Sequence, residues 1–134
     1  MSKQFGVRDV HNLFSQIYKE NGEIGFNLVL VRKDNSEVVV LDFQSREILR
    51  DAQSLKEITD SLSGVQYESV ILVAECWAHT PSGKSSIALF VEYKKMGNTS
   101  YMSSAKGKSL GKLEPLGSST SMGMADTYFM RLVA

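Results

Sequence analysis

The sequence predicts an α+β protein with a mainly antiparallel sheet of about five strands and helices packed on at least one face of it. Apolar residues recur at helical spacing in two longer segments and alternate along several shorter ones. The shorter segments follow one another in pairs separated by brief polar turns, which is typical of antiparallel hairpins. We therefore expect a single domain over residues 1–134, in the order helix, hairpin, helix, hairpin, loop, strand.

The first half of the chain contains the clearest elements. A helix is expected over 7–20, because its apolar residues are spaced three and four apart and so share one face. The pair Asn21-Gly22 ends it, since both residue types tolerate left-handed backbone at a helix C-terminus. Strands at 24–32 and 37–43, with a short polar turn between them, then predict an antiparallel hairpin.

The second half repeats this order and then loses its periodicity. Helical sequence at 46–63 is followed by a second pair of strands at 68–77 and 87–94. Residues 95–125 are dense in Gly, Ser, Lys and Met and show no sustained period, so we interpret them as a long loop. Alternating residues at 126–133 predict a last strand, buried in the sheet or against a partner.

Composition narrows the class of protein. Fifteen basic residues balance fifteen acidic ones, which argues against a strongly basic nucleic-acid binder, although local patches remain open. Cys76 is the single cysteine, so no intramolecular disulfide is possible. The N-terminus lacks the apolar run of a signal peptide and no segment approaches membrane-spanning length. We expect a soluble cytoplasmic protein that makes no membrane contact.

Two glycine-lysine-serine triplets, at 83–85 and 107–109, resemble the end of a phosphate-binding loop. Neither has the earlier glycine that this motif needs, and neither lies between a strand and a helix, so we reject both as nucleotide loops. Cys76 and His79 could form a nucleophile and base or half a metal site. Positions three apart point to opposite faces of a strand, however, so the two side chains are badly placed to meet.

Acidic residues inside the second hairpin raise the question of catalysis. If Thr80 pairs with Ile87, Glu75 lies opposite Glu92 on the same face, and Lys94 shares that face. Like charges at such a position call for a cation, a proton or a basic neighbour. Two carboxylates that bind Mg²⁺ and a lysine that orients water are suited to metal-assisted phosphodiester hydrolysis. The alternative is a salt bridge on the solvent-facing side of the sheet.

The apolar strand over 89–94, which contains Glu92 and Lys94 as an E-x-K pair, resembles the corresponding strand of the PD-(D/E)xK nuclease superfamily. The resemblance implies that Glu92 is a metal ligand, that Lys94 is the catalytic lysine, and that Glu75 stands where the family usually has aspartate. It covers only this hairpin. The family continues into a helix after this strand, whereas this chain continues into Gly/Ser-rich sequence.

The segment 103–112 is the third candidate site. Lys106, Lys108 and Lys112 follow one another there among small residues, with no acidic residue before Glu114. Accessible backbone amides and lysine charges can hold phosphate or a nucleic-acid backbone, and Tyr101 can add stacking. The alternative is a solvated loop whose lysines contribute solubility.

Two classes of function remain open on the sequence. We favour a small non-catalytic binding or regulatory module, without a cofactor, that acts through a protein partner, self-association into a homo-oligomer, or an anionic ligand. Methionines in the expected loop suit an adaptable contact surface. The alternative is a Mg²⁺-dependent phosphodiesterase or nuclease that uses Glu75, Glu92 and Lys94.

Overall fold

The computed structural model describes residues 5–33, 37–43, 46–81, 83–116 and 123–133. The elements are, in chain order, α1 (Val7–Asn21), β1 (Phe26–Arg32), β2 (Val38–Phe43), a 3-10 helix (Arg46–Arg50), α2 (Ala52–Leu62), β3 (Tyr67–Thr80), β4 (Gly83–Lys94), β5 (Gly97–Lys106), β6 (Ser109–Leu110), β7 (Glu114–Pro115) and α3 (Met124–Leu132). No helix within the described ranges is long and apolar enough to cross a membrane.

The strands form one antiparallel sheet in the order β2-β1-β3-β4-β5-β6, and β7 pairs with β5 as well. The predicted α+β class, the antiparallel sheet and both hairpins are therefore confirmed. The predicted strand count and order are wrong, because the described residues contain seven strands and end in a helix.

Successive residues of the central strands point alternately into two separate apolar clusters, one on each face of the sheet. On one face, α1 packs on side chains such as Val29, Val73 and Phe90. On the other face, the 3-10 helix, α2 and α3 pack on side chains such as Leu72 and Val91. Both faces of the sheet are therefore buried, which explains why β1 and β3 read as nearly continuous apolar runs.

The long loop expected over 95–125 is wrong for its first half, because residues 97–106 form β5, which pairs with residues 87–94 of β4. This strand lacks the apolar alternation of an ordinary strand. Its buried positions include Ser100 and Ser103, which are 2% and 0% exposed. Ser103 is accommodated in the core because His11 and the backbone carbonyls of Gly111 and Lys112 lie within hydrogen-bond distance of its hydroxyl group, so hydropathy gives no signal.

The last strand expected at 126–133 is also wrong, because residues 126–132 belong to α3. Ala125, Phe129 and Leu132 are buried and lie four and three residues apart, as required for one helix face. In this short segment the apolar residues Tyr128, Met130 and Leu132 fit a period of two, whereas Ala125, Phe129 and Leu132 fit a period of 3.6. The pattern alone therefore does not distinguish a strand from a helix.

Tyr93 of β4 holds α3 against the sheet. Its phenol is fully buried, donates a hydrogen bond to the Asp126 carboxylate and meets the Phe129 ring edge to face at a centroid distance of 5.6 Å. Burial of the phenol raises the pKa of Tyr93 well above its ordinary value, and the bond to Asp126 acts in the same direction. The hydrogen bond and the ring contact of Tyr93 thus help to hold α3 against the sheet within an apolar interface.

Candidate anionic-ligand site

Two hairpins have their turns at the same end of the sheet. β3 and β4 remain paired up to Thr80 and Gly83, beyond the last β4–β5 pair, which joins Ile87 to Ser104. β5 continues past Ser104 and turns into β6, so that Lys106 pairs with Ser109. The β3–β4 turn and the β5–β6 turn therefore project together, although the turns are distant in sequence.

The charged residues on these two turns are all basic. Residues 77–86 and 104–112, which we call the basic end, contain Lys84, Lys106, Lys108 and Lys112 and no aspartate or glutamate. All four lysines are exposed. Among the described residues none of them has an ion-pair partner, so their charge is available to an anion from solvent. Sequence reasoning found three of them and missed Lys84, because its proximity depends on strand pairing.

Trp77 is the second feature that sequence reasoning missed. It lies on β3 at the margin of the basic end, pairs with Ser86 across the hairpin and is 62% exposed. Its exposed ring offers a large apolar surface with a polar N–H group at its edge. Its neighbours Glu75 and Cys76 line, together with it, a cleft of about 240 Å³. The signal in the sequence was a tryptophan next to a polar turn.

Tyr101 lies away from the β5–β6 turn that carries Lys106 and Lys108. It pairs with Phe90 on β4 and with Pro115 on β7, is partly buried, and packs against the apolar cluster beneath α1. Trp77 is closer than Tyr101 to the turn that carries Lys84. The aromatic group that accompanies the basic end is therefore Trp77.

A polar junction anchors the β5–β6 hairpin to α1. His11 Nε2 lies 2.7 Å from Ser103 Oγ and 2.9 Å from the Gly111 carbonyl oxygen. The Ser103 hydroxyl in turn lies 2.6 Å from the Gly111 carbonyl oxygen and 3.2 Å from that of Lys112. The His11 ring also meets Phe90 edge to face, at 5.6 Å. These contacts hold the backbone that carries Lys112 against the body of the sheet.

The glycine-lysine-serine triplets lie in hairpins, which agrees with their rejection as nucleotide loops. Gly107 occupies the turn between β5 and β6 with a φ of 61°, a left-handed conformation that favours glycine. The conformation places Lys106 and Lys108 on either side of a tight turn. Gly83 begins β4 directly after the other turn.

The proposed catalytic residues lie on one face but apart. The expected pairing of Thr80 with Ile87 is wrong, because Thr80 pairs with Gly83. Glu75 consequently pairs with Ala88, whereas Glu92 pairs with Ile71 further along the strand. The Glu75 carboxylate accepts a hydrogen bond of 2.9 Å from the Ile24 amide, which gives it a structural role at the start of β1.

Glu92 and Lys94, the other two residues of the catalytic hypothesis, lie away from Glu75. Glu92 is 8% exposed and stands between Ile71 and Thr99, and Lys94 is exposed at the end of β4, away from the basic end. Within the described part of the chain, no three His, Cys, Asp or Glu side chains are close enough together to hold a metal ion.

Cys76 is partly buried and packs against the cluster beneath α2 and α3. It pairs with Ile87, and its strand continues through His79, whose side chain lies outside the described part of the structure. No family model, no curated protein and no solved structure matches this chain.

Proposed function

We propose that this protein is a small non-catalytic binding module that holds a phosphate-bearing ligand on its basic end. The observation that carries the proposal is that Lys84, Lys106, Lys108 and Lys112 belong to two hairpins whose turns lie at the same end of the sheet and contain no acidic residue. A chain of zero net charge offers no general attraction to polyanions, so a local excess of four positive charges marks one end of the molecule for such a ligand.

The distribution of positive charge favours extended phosphates over a single enclosed ion. The lysines are exposed on convex turns and not on the walls of a cavity, and each is a flexible point charge with three donors. Such an arrangement suits contacts to several phosphates in a row. The exposed Trp77 ring beside these turns adds a surface on which a nucleobase can stack, with a typical contribution of about 1–3 kcal/mol per base.

The test measures binding of two probes that share phosphate chemistry and differ in bases. A fluorescein-labelled single-stranded oligonucleotide and unlabelled inorganic polyphosphate are titrated into the full chain at several salt concentrations. Trp77 is the only tryptophan, so its intrinsic fluorescence reports directly on contacts at this site. We expect both probes to bind through the lysines, and only the oligonucleotide to quench Trp77 by stacking.

Counterion release sets the expected magnitude. Single strands give a slope of about −0.7 in log K against log salt for each phosphate contact, so four contacts predict a slope of about −3. At about 0.1 M salt, each lost contact then weakens binding about fivefold. The double variant Lys106→Gln/Lys108→Gln is expected to weaken binding about 25-fold by the same relation.

The matched control is the double variant Lys94→Gln/Lys95→Gln, which changes two exposed lysines at the end of β4 and in the turn to β5, at the opposite end of the sheet. It removes the same two charges from the protein and should leave binding within twofold. Equal losses in this control and in the Lys106→Gln/Lys108→Gln variant would show nonspecific attraction, and the proposal would then be abandoned. Polyphosphate binding without Trp77 quenching by the oligonucleotide would restrict the ligand to phosphate groups alone.

A further inference from the structure

The two edges of the sheet differ in how well they are protected against pairing with a further strand. On the β5 side, the edge is covered by two very short strands, one of which contains Pro115, and proline cannot donate a strand hydrogen bond. On the opposite side, β2 is six residues long, carries no proline, glycine or lysine, and pairs with β1 in unbroken register. Proteins usually protect an edge of this kind.

The direction of the open backbone groups on β2 follows from one hydrogen bond. The Arg32 amide donates to the Glu37 carbonyl at 2.9 Å, so these two residues form a hydrogen-bonded pair of the antiparallel ladder. Hydrogen-bonded and non-hydrogen-bonded pairs alternate along such a ladder. Val38, Val40 and Asp42 therefore point their amide and carbonyl groups away from β1, and β1 is the one strand that pairs with β2 in the described residues.

A groove accompanies this edge on the α1 face of the sheet. It has a volume of about 630 Å³ and lies between the C-terminal half of α1 and β2. Phe14, Ile17 and Val40 supply apolar walls, and Val40 is 44% exposed. Glu23 and Asp42 are the charged residues that line it, and neither carboxylate has a hydrogen-bond or ion-pair partner among the described residues.

We propose that β2 and this groove bind an extended segment of another protein as an added antiparallel strand. The segment carries a basic residue opposite Asp42, followed two and four residues later by apolar residues opposite Val40 and Val38. This order follows from the geometry, because an antiparallel strand meets Asp42 first and alternate side chains share the groove face. The basic side chain neutralises Asp42 and Glu23 at that end of the groove.

Charge decides between this partner and a second copy of the chain. Pairing β2 with β2 of another molecule would bring a second Glu23 and a second Asp42 to the same seam without any cation. A basic segment instead supplies the missing charge, and opposite charges across an interface also favour the correct register. The interaction does not depend on the basic end, so either proposal can fail without the other.

The experiment uses fluorescein-labelled seven-residue peptides and the full chain, with fluorescence anisotropy as the readout. The probe has the sequence Ser-Lys-Thr-Val-Thr-Val-Ser, and one control peptide replaces Lys with Glu. A second control reverses the order to Ser-Val-Thr-Val-Thr-Lys-Ser, which has the same composition and charge. We expect the probe to bind at least tenfold more tightly than either control, which corresponds to about 1.4 kcal/mol.

A charge exchange tests the register directly. Asp42→Lys should reverse the preference, so that the Glu peptide binds at least tenfold more tightly than the Lys peptide. Glu57→Lys, on the exposed side of α2 across the sheet, is the matched control and should leave the preference unchanged. Equal binding of the three peptides, no reversal in Asp42→Lys, or a dimer in sedimentation whose β2 amides are protected from exchange would overturn the proposal.

Discussion

Replacing Ser103 with alanine tests the junction that joins α1 to the β5–β6 hairpin. The Ser103 side chain is fully buried, and its hydroxyl lies within hydrogen-bond distance of His11 Nε2 and of the carbonyl oxygens of Gly111 and Lys112. Alanine preserves the volume apart from one oxygen atom and removes the group that these three polar atoms share. The expected effect is therefore electrostatic in origin and separable from the loss of packing.

The magnitude follows from the atoms left behind. His11 Nε2 remains 2.9 Å from the Gly111 carbonyl oxygen, so one of the acceptors keeps a donor, whereas the bonds through Ser103 are lost. A lost hydrogen bond that leaves a buried group unsatisfied costs about 1–3 kcal/mol, and partial compensation here suggests about 1.5 kcal/mol. For 134 residues the unfolding entropy is about 0.28 kcal/mol/K, so the expected decrease in Tm is about 5 °C.

Thermal and urea unfolding of Ser103→Ala and Ser104→Ala provide the assay. Ser104 is the adjacent residue, is exposed and points to the other face of the sheet, so its replacement should change the free energy of unfolding by less than about 0.5 kcal/mol. A double-mutant cycle that combines Ser103→Ala with His11→Ala should give a coupling energy of about 1 kcal/mol between the two side chains. The contact of His11 with Phe90 is lost in both arms of the cycle, so it does not contribute to this coupling energy. Equal effects of the two serine variants, or zero coupling, would refute the junction and the register of β5.

Three further predictions concern the helices. Tyr93→Phe should lower the free energy of unfolding at neutral pH by about 1.5 kcal/mol, because the hydrogen bond from the buried phenol to the Asp126 carboxylate is lost. Because the folded-state pKa of Tyr93 is raised above its unfolded value of about 10, its contribution is present below about pH 10 and decreases above it, by about 1.4 kcal/mol per pH unit. In urea unfolding measured at a series of alkaline pH values, Tyr93→Phe should lack this decrease of the free energy of unfolding with pH. The same decrease in the variant and in the unchanged protein would contradict the prediction. Gly22→Ala should cost about 1 kcal/mol because Gly22 has a φ of 78°, whereas Gly64→Ala, without a positive φ, should be nearly neutral in the same unfolding measurement. Phe129→Ala should cost about 3–5 kcal/mol in chemical denaturation and exposed Thr127→Ala little, and similar losses would argue against the helical face of α3.

The parts of the fold that could be predicted are the elements whose own apolar residues show a clear helical or strand spacing. The helix at 7–21 has its apolar residues on one face, and the hairpin of β1 and β2 has short apolar strands around a polar turn. Local spacing and turn chemistry are sufficient for such elements. The antiparallel character of the sheet followed from the same hairpins.

Elements that depend on distant partners were not predictable in this way. β5 is a strand because β4 offers a free edge and because His11 and backbone carbonyls satisfy Ser103 in the core. α3 is a helix because its buried face fits between α2 and the sheet, where Phe129 meets Tyr93. In both segments the local pattern is ambiguous, and burial against a partner decides the conformation.

The same division applies to the candidate sites. The sequence by itself determined the α+β class, the two hairpins and the three lysines of the 103–112 segment. Only the tertiary structure decided that Lys84 lies at the same end of the sheet as those lysines, and that Glu75 and Glu92 lie apart. It also decided that β2 pairs with β1 alone among the described residues and borders an acidic groove. The physical reason is strand register: a shift in pairing moves every side chain relative to its neighbours, and register is set by contacts between residues far apart in the chain.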